Sequence, residues 1–360
     1  MTNKILFESF KSALGSQEYN NEKLAELFNE HYEQIEELFV LTIYQKLDSG
    51  KQSLLTEIYE DQETFQTRLF DTWKSPLERL DTLTHMCTEI VFGIRNRLVQ
   101  GDQEITDKFN IATRLHARTV QVAKEVSHLL HGGFADGAFA RWRTLHETTT
   151  ILKFICEGNE DLATRFTDFQ SVLRLTKAKR FNDNNDLNFD PIPDADIERY
   201  NQELQEILSK YETSFSNKFG WALKVLGKAE KTNAKADYID IEKHVGLGFL
   251  RNHYSFANQY IHAGIDSIGY KLGTSMSKRD LLLAGPSDEG LLEPIQCTSL
   301  SLIHATVALI SAFPDDEGML QIPVFWLWHE AIKSEVIEAS NALQAKGEAK
   351  STQSSDDGKL

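Results

Sequence analysis

An all-α fold, a helical bundle with an added N-terminal helical region, is predicted by three features of the sequence. Apolar residues recur at helical spacing along most of its 360 residues. Residues that break helices are few, with 20 Gly and 7 Pro. The chain is 41% hydrophobic and 26% charged, which is enough apolar material to bury a core.

The elements follow in order. Asn21 to Leu47 places Leu24, Leu27, Phe28, Ile35, Leu38 and Phe39 on one side, against a Glu-rich face. Ser53 to Phe70 repeats the pattern with Leu54, Leu55, Ile58, Phe65 and Leu69. Pro76 is placed to open a further helix to about Val99, because proline suits a first helical turn. Residues 1–100 thus form an acidic N-terminal helical region, either a solvated bundle face or an arm that docks a partner protein.

Residues 101–343 form the second expected domain. Ile105 to His131 is helical and closed by Gly132-Gly133; Phe134 to Glu157 follows, ended by Gly158. Asp161 to about Phe181 is the next helix, and it finishes in a basic cluster. Asn182 to Asp196, with Pro191 and Pro193, is a loop. Ile197 to Ser214 is helical, and a Lys-rich stretch from Lys218 to Lys235 follows it. Tyr238 to Leu272 contains a long helix from about Leu247 to Tyr270, and Leu291 to Phe313 and Val324 to Leu343 are the last two helices. Residues 344–360 are polar and are expected to be a disordered tail.

The formal net charge of -16 speaks against a broad basic surface for duplex DNA and leaves room only for a local basic groove. Cys87, Cys156 and Cys297 have no paired spacing and read as small buried residues in a reducing cytosol. Met1 to Ile5 has no apolar core of a signal peptide, and Thr298 to Phe313 is short for a membrane span. The expected location is cytoplasmic, with no membrane contact.

Two helices concentrate chemistry. In the first, Trp142, Leu145, Thr149, Leu152 and Cys156 share an apolar side. At 100° per residue, Arg143 and Glu147 lie about 40° apart, His146 about 60° from Arg143, and Arg141 about 140° from His146. Arg143, His146 and Glu147 therefore share a flank of a helix that otherwise reads as buried. Burying such groups costs several kcal/mol unless each has a partner. In the second helix, Arg251, Ser255, Asn258, His262 and Asp266 form one stripe, flanked by Tyr254. Phe249, Leu250, Phe256, Ala257, Tyr260, Ile261 and Ile268 form its core side. No Lys or Glu occurs between Leu247 and Tyr270, so the stripe reads as facing protein groups or a ligand rather than water. Both clusters admit two meanings: a buried pairing network that fixes helix register, or a functional cleft between the helices.

The run Gly137-Ala-Phe-Ala-Arg-Trp-Arg-Thr-Leu-His-Glu147 resembles a bacterial domain family of unknown function, whose members share an ARWRTLHE-like helix. A downstream Tyr-x-x-Ser/Ala…His pattern recurs in that family, and Tyr254, Ser255 and His262 fit it. The similarity covers about Thr113 to Phe313, leaves residues 1 to about 100 outside, and implies a site location rather than an activity. The spacing from Arg141 to His146 also resembles the R-x(4–6)-H signature of HEPN-type ribonucleases, helical proteins that often act as toxins or antiviral effectors.

Two functions compete on these residues. The first is a metal-independent ribonuclease, a toxin or phage-defence effector. His146 or His262 would move the proton, Arg143 or Arg251 would stabilise phosphate charge, and Glu147 or Asn258 would orient them. Arg174, Lys177, Lys179 and Arg180 would hold the RNA backbone, and a homodimer would complete the site. The second is a non-catalytic helical sensing or protein-interaction module that docks through the acidic N-terminal helices. A metal site from His244, His253 and His262 has no standard ligand spacing, so no metal and no cofactor is expected. Nucleotide hydrolysis, serine hydrolysis and zinc ribbons lack a Gly-rich phosphate loop, a nucleophile elbow or a Cys-x-x-Cys pair.

Overall fold

The computed structural model describes residues 2–13, 21–101, 104–229, 233–262, 264–276 and 282–356. The described residues form twelve α-helices and no strand, as the periodicity predicts. Residues 230–232 of the Lys-rich stretch, Ala263 of the expected second helix and residues 357–360 of the expected tail lie outside the described residues.

The chain forms two units, residues 1–68 and 69–360. The first holds α1 (Thr2–Ala13), α2 (Asn21–Glu30) and the opening half of α3 (Tyr32–Gln100). Leu6, Leu24 and Phe28 are buried. The Phe28 ring meets Phe7 edge-on at 5.3 Å and Tyr32 at 5.6 Å. The boundary between units falls inside α3 rather than near residue 100, because Leu69, Trp73, Leu77, Leu80, Leu83 and Cys87 are core residues of the second unit.

α3 is one helix of 69 residues where three were expected. Pro76 sits within it rather than at a start. An interior proline removes the bond from its own nitrogen to the carbonyl four residues back and crowds that carbonyl with its ring, a cost that surrounding packing must offset. Here the turns on both sides are anchored: Trp73 and Leu77 are fully buried, and Trp73 Nε1 donates to the Asp288 carbonyl at 2.8 Å.

The rest of the second unit comprises α4 (Asp107–His131), α5 (Ala135–Glu157), α6 (Glu160–Asp183), α7 (Asp194–Lys210), α8 (Tyr238–His244), α9 (Arg251–Ala257), α10 (Ile265–Gly269), α11 (Leu292–Ala312) and α12 (Asp316–Asp356). α4 starts at Thr106, whose side chain accepts from the Phe109 N–H, and closes on Gly132, as expected; Gly133 follows at φ 74°. α5 stops at Gly158. The predicted loop survives as residues 184–193, clipped by Asn182, whose amide bonds both the N–H and the carbonyl of Ile192.

α5 is the central element, packed chiefly against α4 and α11. Its expected apolar side, Trp142, Leu145, Thr149, Leu152 and Cys156, is buried. Trp142 Nε1 donates to the Cys297 carbonyl at 2.9 Å, with Ser301 Oγ at 3.0 Å; Thr149 Oγ1 donates to the Ser301 carbonyl at 3.1 Å. α11 is long and apolar enough by composition to cross a membrane, yet 67% of its apolar stretch is buried inside the protein. Ser299 on α11 meets His329 Nδ1 of α12 at 2.8 Å.

Beside α5 and α6 lies a second apolar cluster, with Phe154, Leu162, Phe169, Phe215, Trp221 and Ile241. The irregular stretch between α7 and α8 feeds it through a tight turn. Phe219 is left-handed at φ 54°, and a Cβ at Gly220 would lie 1.8 Å from the Phe215 carbonyl oxygen. Only glycine fits there. Arg165 is 3% exposed in this region, ion-paired with Glu212 and lying over the Tyr211 and Phe215 rings.

Two further expectations are corrected. The long helix over Leu247 to Tyr270 is three short pieces: a 3-10 turn at 248–250 leading into α9, a second 3-10 turn at 258–260, and α10. Gly246, at φ 72°, separates α8 from this region, and Gly264 precedes α10. The tail does not begin at residue 344, because α12 runs on to Asp356. Ala, Lys, Glu and Gln are common in that stretch, and all are strong helix formers.

Candidate functional site

One flank of α5 faces α8 and α9, and there the polar residues converge. His146 Nε2 lies 2.8 Å from Glu242 Oε1, with side-chain exposures of 0% and 1%. The carboxylate can only accept, so the ring nitrogen donates. The other carboxylate oxygen takes Arg251 Nε at 2.6 Å, from the first residue of α9. Glu242 is thereby held on both oxygens by groups from two other helices. His146 Nδ1 is enclosed and has no hydrogen-bond partner among the described residues.

A second group sits beside it. Arg143 NH2 donates to Glu147 Oε1 at 3.1 Å, one helical turn along α5. The Tyr254 hydroxyl accepts from Arg143 and donates to Glu147. Burial, reinforced by Glu147, pushes the Tyr254 phenol up to about 12, so it remains a donor at neutral pH. Burial also raises the Tyr238 phenol; its oxygen lies 2.8 Å from Thr150 Oγ1.

Aromatic stacking ties the two groups together. The Arg143 guanidinium lies 4.1 Å from the centroid of the Tyr254 ring, and that of Arg251 lies 4.8 Å from it and 5.3 Å from Tyr238. Tyr238 and Tyr254 stack at 5.4 Å. Along α5, Phe139, Trp142 and His146 form a column with centroid separations of 5.1 and 5.3 Å. Two guanidiniums face two carboxylates, Glu147 and Glu242, so the cluster balances its charge internally. That balance is what makes deep burial of ionic groups tolerable. Exposure rises outward: the Arg143, Arg251 and Glu147 side chains are 17%, 25% and 44% accessible.

Not every expected residue joins. Arg141 points to α4, where Nε pairs with Glu125, so Arg141 and His146 do not converge despite their spacing. His262 follows the break after α9 and is exposed; Ser255 and Asp266 are exposed as well. Asn258 is half-buried, starts the 3-10 turn and lies outside the ion-paired cluster. Arg174 pairs with Glu203 at 2.8 Å, while Lys177, Lys179 and Arg180 are exposed on α6. His244 packs edge-on against Phe154, and the three histidines His244, His253 and His262 form no metal-holding group among the described residues.

Sequence reasoning missed Glu242, Tyr238 and Thr150. Glu242 lies 96 residues from His146, on a helix of seven residues, and no spacing rule joins them. The available signal was indirect: a buried Arg and His require a carboxylate from elsewhere in the chain.

Residues 109–279 match the sequence profile of a family of unknown function, DUF5677. The stretch covers the whole of this cluster and stops short of the expected Phe313. No curated protein and no solved structure matches the chain. Nothing in these comparisons supports a likeness to HEPN-type ribonucleases.

Proposed function

We propose that residues 109–279 act as a non-catalytic helical module that senses or docks a partner, with the Arg143–Glu147–Tyr254 and His146–Glu242–Arg251 groups as the lock that holds α5, α8 and α9 in register. The observation that carries this reading is the enclosure of His146. A general base must reach the proton it takes, and His146 has no exposed surface, its Nε2 being committed to a buried carboxylate. The partner surface in this reading is the strip beyond α9, where Ile261, Ile265, Ile268 and Tyr270 are exposed. Their apolar side chains lie close together in sequence on short elements, which suits protein contact. A reducing, cytoplasmic setting accords with three unpaired cysteines.

A second reading, the metal-independent ribonuclease of a toxin or phage-defence system, rests on one different observation. The partly accessible Arg143 and Arg251, with the exposed His262 and the exposed Lys177, Lys179 and Arg180, would supply phosphate contacts and a reachable imidazole. The two readings separate in one assay: total RNA incubated with the protein in excess EDTA, beside His146→Ala and His262→Ala. Intact RNA in every lane, with a lowered melting temperature for His146→Ala alone, is the expected result. Cleavage by the wild type that a well-folded His262→Ala loses would overturn the module reading in favour of the nuclease.

A further inference from the structure

Among the described residues of the first unit, none covers one segment of α3. From Val40 to Thr64 of α3 every residue is exposed except Leu55, which is half-buried. The segment is nonetheless strongly amphipathic. Val40, Tyr44, Leu47, Leu54 and Ile58 are 60%, 63%, 69%, 57% and 38% exposed and recur at alternating spacings of three, four and seven. These are the a and d positions of a heptad, with Lys51 filling the gap. Ile43 and Leu55 widen the stripe, and the opposite side carries Gln45, Ser49, Gln52, Thr56, Glu60 and Glu63. An isolated solvated helix gains no burial from such a stripe.

We propose that this segment pairs with the same segment of a second copy of the chain, as an antiparallel two-stranded coiled coil centred near Ser49. Charge decides the orientation. A parallel pair would set Lys51 against Lys51 of the other copy inside the seam. In the antiparallel register about residue 49, Val40 meets Ile58, Tyr44 meets Leu54, and the stem of Lys51 lies along Leu47 of the other copy. The Lys51 ammonium then reaches Asp48 of that copy while keeping its own Asp48, which it already contacts at 3.1 Å. The dyad so gathers two lysines and two aspartates, and Gly50, with open space around its α-carbon, allows close approach. The pairing is independent of the role proposed for the α5–α9 cluster.

The test is light scattering on the full chain, with cysteine cross-linking to read direction. Wild type is expected as a dimer, and Leu47→Asp with Leu54→Asp as a monomer of unchanged helicity, because both side chains face solvent in the single chain. Under mild oxidation, mixed Val40→Cys and Ile58→Cys proteins are expected to cross-link, while Val40→Cys alone does not; the native cysteines are buried and stay silent. A monomeric wild type at high concentration, a dimer indifferent to both aspartates, or a Val40→Cys self cross-link would each overturn the proposal.

Discussion

Glu242 and His146, 96 residues apart in sequence, meet at 2.8 Å with neither side chain open to water. The remaining oxygen of Glu242 belongs to Arg251. The folded position of α8 and α9 on α5 therefore depends on a carboxylate that cannot be left unpaired, nor removed without stranding its partners.

That dependence makes Glu242 the most sensitive charged position in the cluster. Glu242→Ala leaves a guanidinium and an imidazole without their shared carboxylate, and losing one member of a buried pair costs about 3–5 kcal/mol. Urea unfolding is the measurement. Glu242→Leu combined with Arg251→Met removes both charges while keeping volume, and it is expected to regain much of that loss. A double variant as unstable as the single would show that packing rather than charge holds the site.

How much of this was legible in the sequence depends on the range of each interaction. Gly132, Gly158 and the apolar stripe from Trp142 to Cys156 act within a few residues of themselves, and all stand where local rules put them. The flank formed by Arg143, His146 and Glu147 was readable for the same reason. Pro76 was misread because its breaking tendency is local, whereas the burial of Trp73 and Leu77 that overrides it comes from the whole unit. The helix expected over Leu247 to Tyr270 failed in the opposite direction: its polar stripe was counted on an unbroken spiral, and the break after Ala257 takes His262 out to solvent. Glu242 was invisible because its role is entirely tertiary.

The cysteines give a second prediction. Burial pushes the Cys87 and Cys156 thiols up to about 12 and raises that of Cys297 as well, so the reactive thiolate is scarce at neutral pH. The native chain is expected to show no fast reaction with a disulfide-exchange reagent at pH 7.5, and all three thiols should react once denaturant is added. Rapid labelling of even one thiol in the folded protein would contradict the packing around it.

The third concerns acid. His116 on α4 is fully buried, with Nε2 2.9 Å from Thr306 Oγ1, and burial lowers its pKa from 6.5 to about 4. His304, lowered to about 4 chiefly by burial, and His329, lowered for the same reason, act in the same sense. Between pH 6.5 and about 4 the unfolded chain binds protons that the folded chain refuses, so stability is full above 6.5 and falls as pH drops through that window. For His116 alone the full loss is roughly 3 kcal/mol, because each tenfold drop in proton affinity on folding is worth about 1.4 kcal/mol. Asp136 and Glu289, raised by burial, oppose the trend at its acidic end, since their folded forms take up protons first. His116→Gln isolates the histidine, because it keeps a polar group near Thr306 but has nothing to titrate. The melting temperature of the wild type is expected to drop more steeply than that of His116→Gln between pH 6.5 and 4.5. Parallel curves over that range would mean that His116 takes up its proton in the folded state as readily as in the unfolded one.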